Sequence, residues 1–174
     1  MRFPNIRRKC FPVLVLPLLL ALHALPAAAD ETPAVEADTY LTLPATGDEA
    51  ALNIIDRALE LLGVRYKRGG NTPETGFDCS GFVDHVFREA TGLVLPRSSR
   101  EIGKVGMPVD KEELKPGDLV LFRTVRNAVS HIGIYVGDYL FIHAPRQGEK
   151  VRLADLRERY WVKRYSGARR VEGN

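Results

Sequence analysis

The order in which two kinds of hydrophobic period follow one another limits the architecture of this chain more than any other feature of its sequence. From Asp48 to Leu62 apolar residues recur at helical spacing, at Leu52, Ile55, Leu59 and Leu62 with Ala51, Ile54 and Ala58 beside them, and Gly63 supplies a stop. A second helix is expected from Cys79, because Phe82, Val83, Val86, Phe87 and Ala90 define one apolar face, Asp78 is a suitable N-cap and Thr91-Gly92 closes it. Between them Tyr66 to Gly76 reads as a loop, punctuated by Gly69-Gly70, Pro73 and Gly76. After a loop around Leu95 to Ser99 and a weak segment near Met107, the turn Lys115-Pro116-Gly117-Asp118 introduces a different pattern. Leu119 to Phe122, His131 to Val136, Tyr139 to His143, Lys150 to Leu153 and Trp161 to Val171 alternate or are rich in β-branched and aromatic residues, as strands are. Helices first and strands afterwards predict an α+β domain, with N-terminal helices packed on a C-terminal antiparallel sheet.

The residues before this domain are of another kind. Arg2, Arg7, Arg8 and Lys9 precede 15 apolar-rich residues from Phe11 to Leu25, then Pro26 and Ala27-Ala28-Ala29 lead to Asp30. That is the layout of a secretory signal, with cleavage expected after Ala29 and an exported, periplasmic product. The apolar stretch carries Pro12 and Pro17 and falls short of the roughly 20 residues of a spanning helix, so no stable membrane span is expected after cleavage. Cys10 lies ahead of the apolar core, whereas the acylated cysteine of a bacterial lipoprotein follows it. Residues 30–47, with Pro33, Pro44 and the acids Asp30, Glu31, Glu36 and Asp38, read as a flexible lead-in, which leaves 48–174 as the domain. Charge fits this division. Of 25 Lys and Arg residues four belong to the signal, and the remaining 21 face 22 Asp and Glu, so no nucleic-acid partner is expected. Lys163, Arg164, Arg169 and Arg170 read as an exposed face.

Once the signal is removed, Cys79 is a solitary cysteine in a compartment where cysteines pair. An inert buried thiol is the plain alternative; nucleophilic chemistry is the other, and it requires the thiolate. The first turn of a helix aims free backbone N–H groups and the positive end of the dipole at the sulfur, which is expected to lower its pKa and could also hold an oxyanion. A base must lie within reach. His23 leaves with the signal and His85 does not face Cys79, so His131 and His143 remain.

Alternation puts His131, Gly133 and Tyr135 on one strand face, and Phe141 and His143 on one face of the next. A two-residue loop Gly137-Asp138 would leave His143 on the wrong side. A three-residue loop, Val136 to Asp138, would pair Tyr135 with Tyr139 and His131 with His143. An odd loop or a bulge is therefore expected in this hairpin. One imidazole can then meet the thiol while the other orients it. A zinc site would use the same residue types, but spacings of 52 and 12 residues without a close ligand pair count against it.

The motifs Tyr66 with Gly69-Gly70, Asp78-Cys79-Ser80-Gly81-Phe82-Val83, Leu95-Pro96-Arg97, Pro116-Gly117-Asp118-Leu119, Ser130-His131-Ile132-Gly133-Ile134-Tyr135 and Phe141-Ile142-His143-Ala144 together resemble the NlpC-type family of exported bacterial cell-wall cysteine peptidases. The resemblance is strongest to Gram-negative single-domain murein endopeptidases. It implies a papain-like α+β fold, with Cys79 as nucleophile, His131 as base and His143 as orienting residue. Tyr66 would help hold the oxyanion, and Asp78 and Ser80 would line a substrate groove. Asp78 also has a purely capping reading, and Arg97 is either a solvated loop charge or a contact for a substrate carboxylate. The implied substrate is the peptidoglycan stem peptide, cut between D-γ-glutamyl and the following diamino acid, with no metal or organic cofactor. An amidase cutting the sugar-to-peptide amide and a non-catalytic wall-binding adaptor are the alternatives. A thiol redox protein would lack a resolving cysteine.

Overall fold

The computed structural model describes residues 47–125 and 128–172. The expected signal, residues 1–29, and nearly all of the lead-in lie outside them. Helix α1 (Gly47–Glu60) buries Ile54 and Ala58 and leaves Leu52 and Leu59 exposed. Strands β1 (Asn71–Thr72) and β2 (Gly76–Phe77) form a small antiparallel hairpin inside the segment read as a loop. Two residues per strand around the three-residue connection Pro73 to Thr75 give too short a pattern for periodicity to register. Helix α2 (Cys79–Thr91) has the limits expected, with Asp78 as its N-cap and Gly92 in the left-handed conformation at its end. A short helix α3 (Ser99–Ile102), capped by Ser98, occupies part of the next expected loop.

Strands β3 (Met107–Val109), β4 (Leu119–Phe122), β5 (His131–Gly137), β6 (Leu140–His143), β7 (Arg152–Asp155) and β8 (Tyr165–Arg170) make one antiparallel sheet in the order β3-β8-β4-β5-β6-β7. The stretch expected to run as a strand from Trp161 begins instead as a helical turn, α4 (Arg159–Val162). Tyr160 and Val162 are about half exposed while Trp161 is buried, so packing of the single indole overrides the β-propensity of its neighbours. No helix among the described residues is long and apolar enough to cross a membrane.

The sheet separates two cores. On the helix side Leu119, Leu121, Ile132, Ile134 and Ile142 pack with Phe82, Val83, Val86 and Phe87 of α2. On the other side Val120, Phe122, Tyr135, Phe141 and Ala168 pack with Leu156 and Trp161. The alternation of β4, β5 and β6 assigns these residues to opposite faces and places His131 and His143 on the aromatic side.

The β5–β6 hairpin has the expected bulge, at a register shift between Tyr135 and Gly137, but not the expected pairing. Asp138 and Tyr139, with φ of 49° and 63°, form a two-residue turn between Gly137 and Leu140. Tyr135 consequently pairs with Phe141 rather than Tyr139, and continuing the ladder sets His143 opposite Gly133 rather than His131. A shift of two residues preserves the face, so both imidazoles still look the same way.

Candidate active site

The start of α2 is held by a polar brace. Asp78 has an extended backbone, and its Oδ1 accepts the Gly81 amide at 2.8 Å while Oδ2 accepts the Gly69 amide at 2.9 Å. Arg97 donates from Nη1 to Oδ1 at 2.8 Å and from Nη2 to Oδ2 at 3.1 Å. The same guanidinium donates to Ser80 Oγ at 2.8 Å and to the Gly70 carbonyl at 3.1 Å, and Ser80 donates in turn to the Arg97 carbonyl at 2.9 Å. Burial favours the neutral acid at Asp78, but hydrogen bonds from Arg97, the Gly81 amide and Ser80 outweigh it and hold the carboxyl below its ordinary range. Glycine is required at position 81 because an added Cβ would lie 2.1 Å from the Gly70 carbonyl oxygen. Ser80 is buried, and the donors of Arg97 are spent within the protein. Ser80, expected to line a substrate groove, and Arg97, read as either a solvated loop charge or a substrate contact, here secure the segment that carries Cys79.

Cys79 is partly exposed as a residue, while its thiol is largely withdrawn from solvent. The amides of Ser80 and Cys79 at the helix start, and that of Ile132 on β5, hydrogen-bond the sulfur and favour the thiolate. Burial works against them first, and the Asp78 carboxylate second, and together these push the thiol up to about 11. The expectation of a thiol lowered by the helix start is therefore corrected: desolvation exceeds the backbone contribution, and the proton stays on sulfur at rest. Tyr66 lies in the same neighbourhood. Its phenol is raised by burial and then by the negative charge of Cys79 and Asp78.

His131 directly precedes the residue whose amide meets the sulfur. Its Nε2 stands 2.8 Å from Nδ1 of His143, with the two rings nearly perpendicular at 86°. The imidazoles reach each other beside Gly133, where a Cβ would lie 2.6 Å from Phe141 Cδ2 and 3.3 Å from His143 Cβ. Burial pushes His131 down to about 4, and burial together with His131 and Arg152 pushes His143 down as well. Both rings are neutral near pH 7. When His131 donates from Nε2 to His143, its Nδ1 carries a lone pair and can accept a proton. His143 Nε2 is buried and has no hydrogen-bond partner among the described residues.

Two contributors have no role assigned by the sequence motifs. Ser130 Oγ accepts the amides of Thr124 and Val125 at 2.9 Å each and anchors the loop that ends at His131. Trp161 packs on both imidazoles, with ring centroids 5.6 Å from His131 and 5.0 Å from His143. The parity of β4, β5 and β6 points to an aromatic wall there without reaching residue 161, and the aromatic character of Trp161 marks it as a core residue without tying it to the histidines. Of the basic residues read as an exposed face, Arg170 instead pairs with buried Asp118 through two 2.8 Å contacts, and Arg169 donates to the Gly103 carbonyl at 2.8 Å.

Known proteins resemble this chain in sequence and fold. The chain is 46% identical over 118 residues to the murein DD-endopeptidase MepS/murein LD-carboxypeptidase of Escherichia coli K12, covering 68% of this chain and 61% of that one. It is 44% identical over 130 residues to a γ-DL-glutamyl hydrolase of Bacillus subtilis, covering 74% of this chain and 30% of that one. The chain thus spans between about a third and three fifths of these relatives. Among solved structures, an NlpC/P60 family protein from Bacillus cereus superposes with a TM-score of 0.64 at 36% identity, over 69% of this chain and 39% of that one. The match to the NlpC/P60 family itself runs over residues 63–170, from the end of α1 to the last strand, and encloses the whole of the site just described: the chain belongs to the NlpC/P60 family.

Proposed function

We propose that this chain is an exported cysteine endopeptidase that hydrolyses the stem peptides of peptidoglycan. The observation that carries the reading is the hydrogen-bonded His131–His143 pair beginning one residue from the amide that meets the Cys79 sulfur. In the resting state thiol and imidazoles are neutral. As Sγ adds to the amide carbonyl carbon, its proton passes to Nδ1 of His131, and His143 keeps that ring oriented through Nε2. The carbonyl oxygen becomes an oxyanion facing the Cys79 amide and the Tyr66 hydroxyl. Collapse breaks the C–N bond, the departing amine takes the proton from His131, and a thioester remains. Water then adds to the thioester, losing its proton to His131; release of the sulfur returns that proton to Cys79. The residues require no metal or cofactor for these steps. Asp78 contributes capping and charge, and Ser80 and Arg97 act on the reaction through it.

Export rests on the basic start and the apolar run at 11–25, and places the activity in the periplasm with the signal removed after Ala29 and 48–174 as the enzyme domain. The bond expected is that between D-γ-glutamyl and the diamino acid, and the γ-DL-glutamyl hydrolase favours it. The relative called a murein DD-endopeptidase favours a second reading, a cross-link bond. Digestion of defined muropeptides by the protein from Asp30 onward, with mass analysis of the products, separates the two and also identifies an amidase. Cleavage should vanish in Cys79→Ala and in His131→Ala and be indifferent to chelator. Cleavage retained by Cys79→Ala would remove the mechanism.

A further inference from the structure

The structure assigns Trp161 to the reaction as the positioning residue of the base, holding the His131 ring in place and stabilising its protonated form. This rests on the reading of His131 as the base. The indole lies nearly parallel to the His131 ring, at 22° with centroids 5.6 Å apart, and edge-on to His143 at 87° and 5.0 Å. It is itself fixed by Phe122 at 4.7 Å and Phe141 at 5.0 Å. Trp161 is the buried residue of a helical turn whose other side chains face outward, so the turn presents this one ring to the imidazoles.

The chemistry at His131 explains why such a neighbour matters. When the ring takes the proton from sulfur it becomes a cation in a buried place, and burial alone already drives it toward neutrality. In many catalytic triads a carboxylate stabilises that cation. Here the orienting group is a second neutral imidazole, and no carboxylate acts on either ring among the described residues. The charged and titratable groups that act on the pair are each ring for the other and Arg152 on β7, whose charge opposes protonation at His143, while the Cys79 sulfur on α2 approaches through the amide of Ile132 next to His131. The electron-rich face of an indole within about 6 Å attracts a cation and costs nothing to desolvate when the charge forms. Trp161 thus supplies what the His-His pair lacks.

The test compares Trp161→Phe and Trp161→Leu with wild type, following kcat, KM and the pH dependence of muropeptide cleavage, and the pH dependence of iodoacetamide alkylation of Cys79. The expected result is a graded series. Leucine lowers kcat by roughly tenfold with KM within about twofold, and moves the acid limb of the pH profile to lower pH because the imidazolium is less stable. Phenylalanine, which keeps an aromatic face, shifts both in the same direction by less. A folded leucine variant with wild-type kcat and acid limb would overturn the assignment, as would a loss of rate with both pH profiles unmoved. Should the leucine variant not fold, the phenylalanine variant decides, and an acid limb and alkylation profile identical to wild type overturns it. Activity surviving in His131→Ala is a separate result that removes the base itself.

Discussion

The two faces of the sheet differ in chemistry and in what they hold. The helix-facing side is a largely aliphatic core with the phenylalanines of α2 set into it, and it delivers Cys79 at the end of a rigid helix. The opposite side is aromatic, with Phe122, Phe141 and Trp161 surrounding two histidines that are almost wholly buried. The first face makes stability from area and shape, so its residues are interchangeable within volume limits. The second encloses ionisable groups and keeps them neutral, so its residues set proton affinities as well as packing. The proposed nucleophile and base thus come from different layers of the molecule and approach each other at the start of β5.

The comparison can be broken outright. Cys79→Ala and His131→Ala should each cost roughly ten-thousandfold or more in turnover, and the double variant no more than either alone, because groups that act as a unit lose their function together. Additive losses in muropeptide kinetics would show that the layers act independently. Next in size is a variant of the helix-side core. Phe87→Ala should lower stability by about 3–5 kcal/mol, measured by urea unfolding, while leaving the pH profile of the folded fraction intact. A displaced profile would mean that this core also tunes the imidazoles. His143→Ala should be roughly a hundredfold less damaging than Cys79→Ala, as orienting groups can be, and equal loss in single-turnover assays rejects that ranking.

The smallest effect is on stability. A histidine lowered to about 4 in the folded protein binds its proton less readily than in the unfolded chain, whose histidines titrate near 6.5. Its contribution is complete above about 6.5 and is lost as pH falls toward 4, and His143 acts in the same direction. Between pH 7 and pH 5 unfolding free energy should fall by about 2 kcal/mol from His131 alone. His131→Phe should flatten that slope, and an unchanged slope in denaturant titrations would locate the pH sensitivity elsewhere.

What the sequence revealed depended on how local each cause was. The limits of α2 follow from Asp78, Gly92 and a helical apolar stripe within 15 residues of one another, and the structure agrees at both ends. The shared face of His131 and His143 follows from parity, which survives any even slip, and so it was legible although the exact pairing was not. The pairing depended on Asp138 and Tyr139 entering the left-handed region, which neither residue type demands. The thiol's proton affinity is not legible in the sequence, because a helix start is visible there while the desolvation that folding imposes is not. Arg97 was a site candidate by resemblance, but its bond to Asp78 across 19 residues, and the approach of Trp161 from 82 residues beyond Cys79, appear only in the folded chain.

The position of β8 has a consequence for when the protein becomes active. Although last in chain order, this strand lies between β3 and β4, and its Arg170 locks onto Asp118 at the foot of β4. In chain order the thiol-bearing helix α2 therefore precedes by about 70 residues the strand that closes the sheet beside β4. On the proposed reading, the imidazole side of the site is complete only once β8 has joined β4.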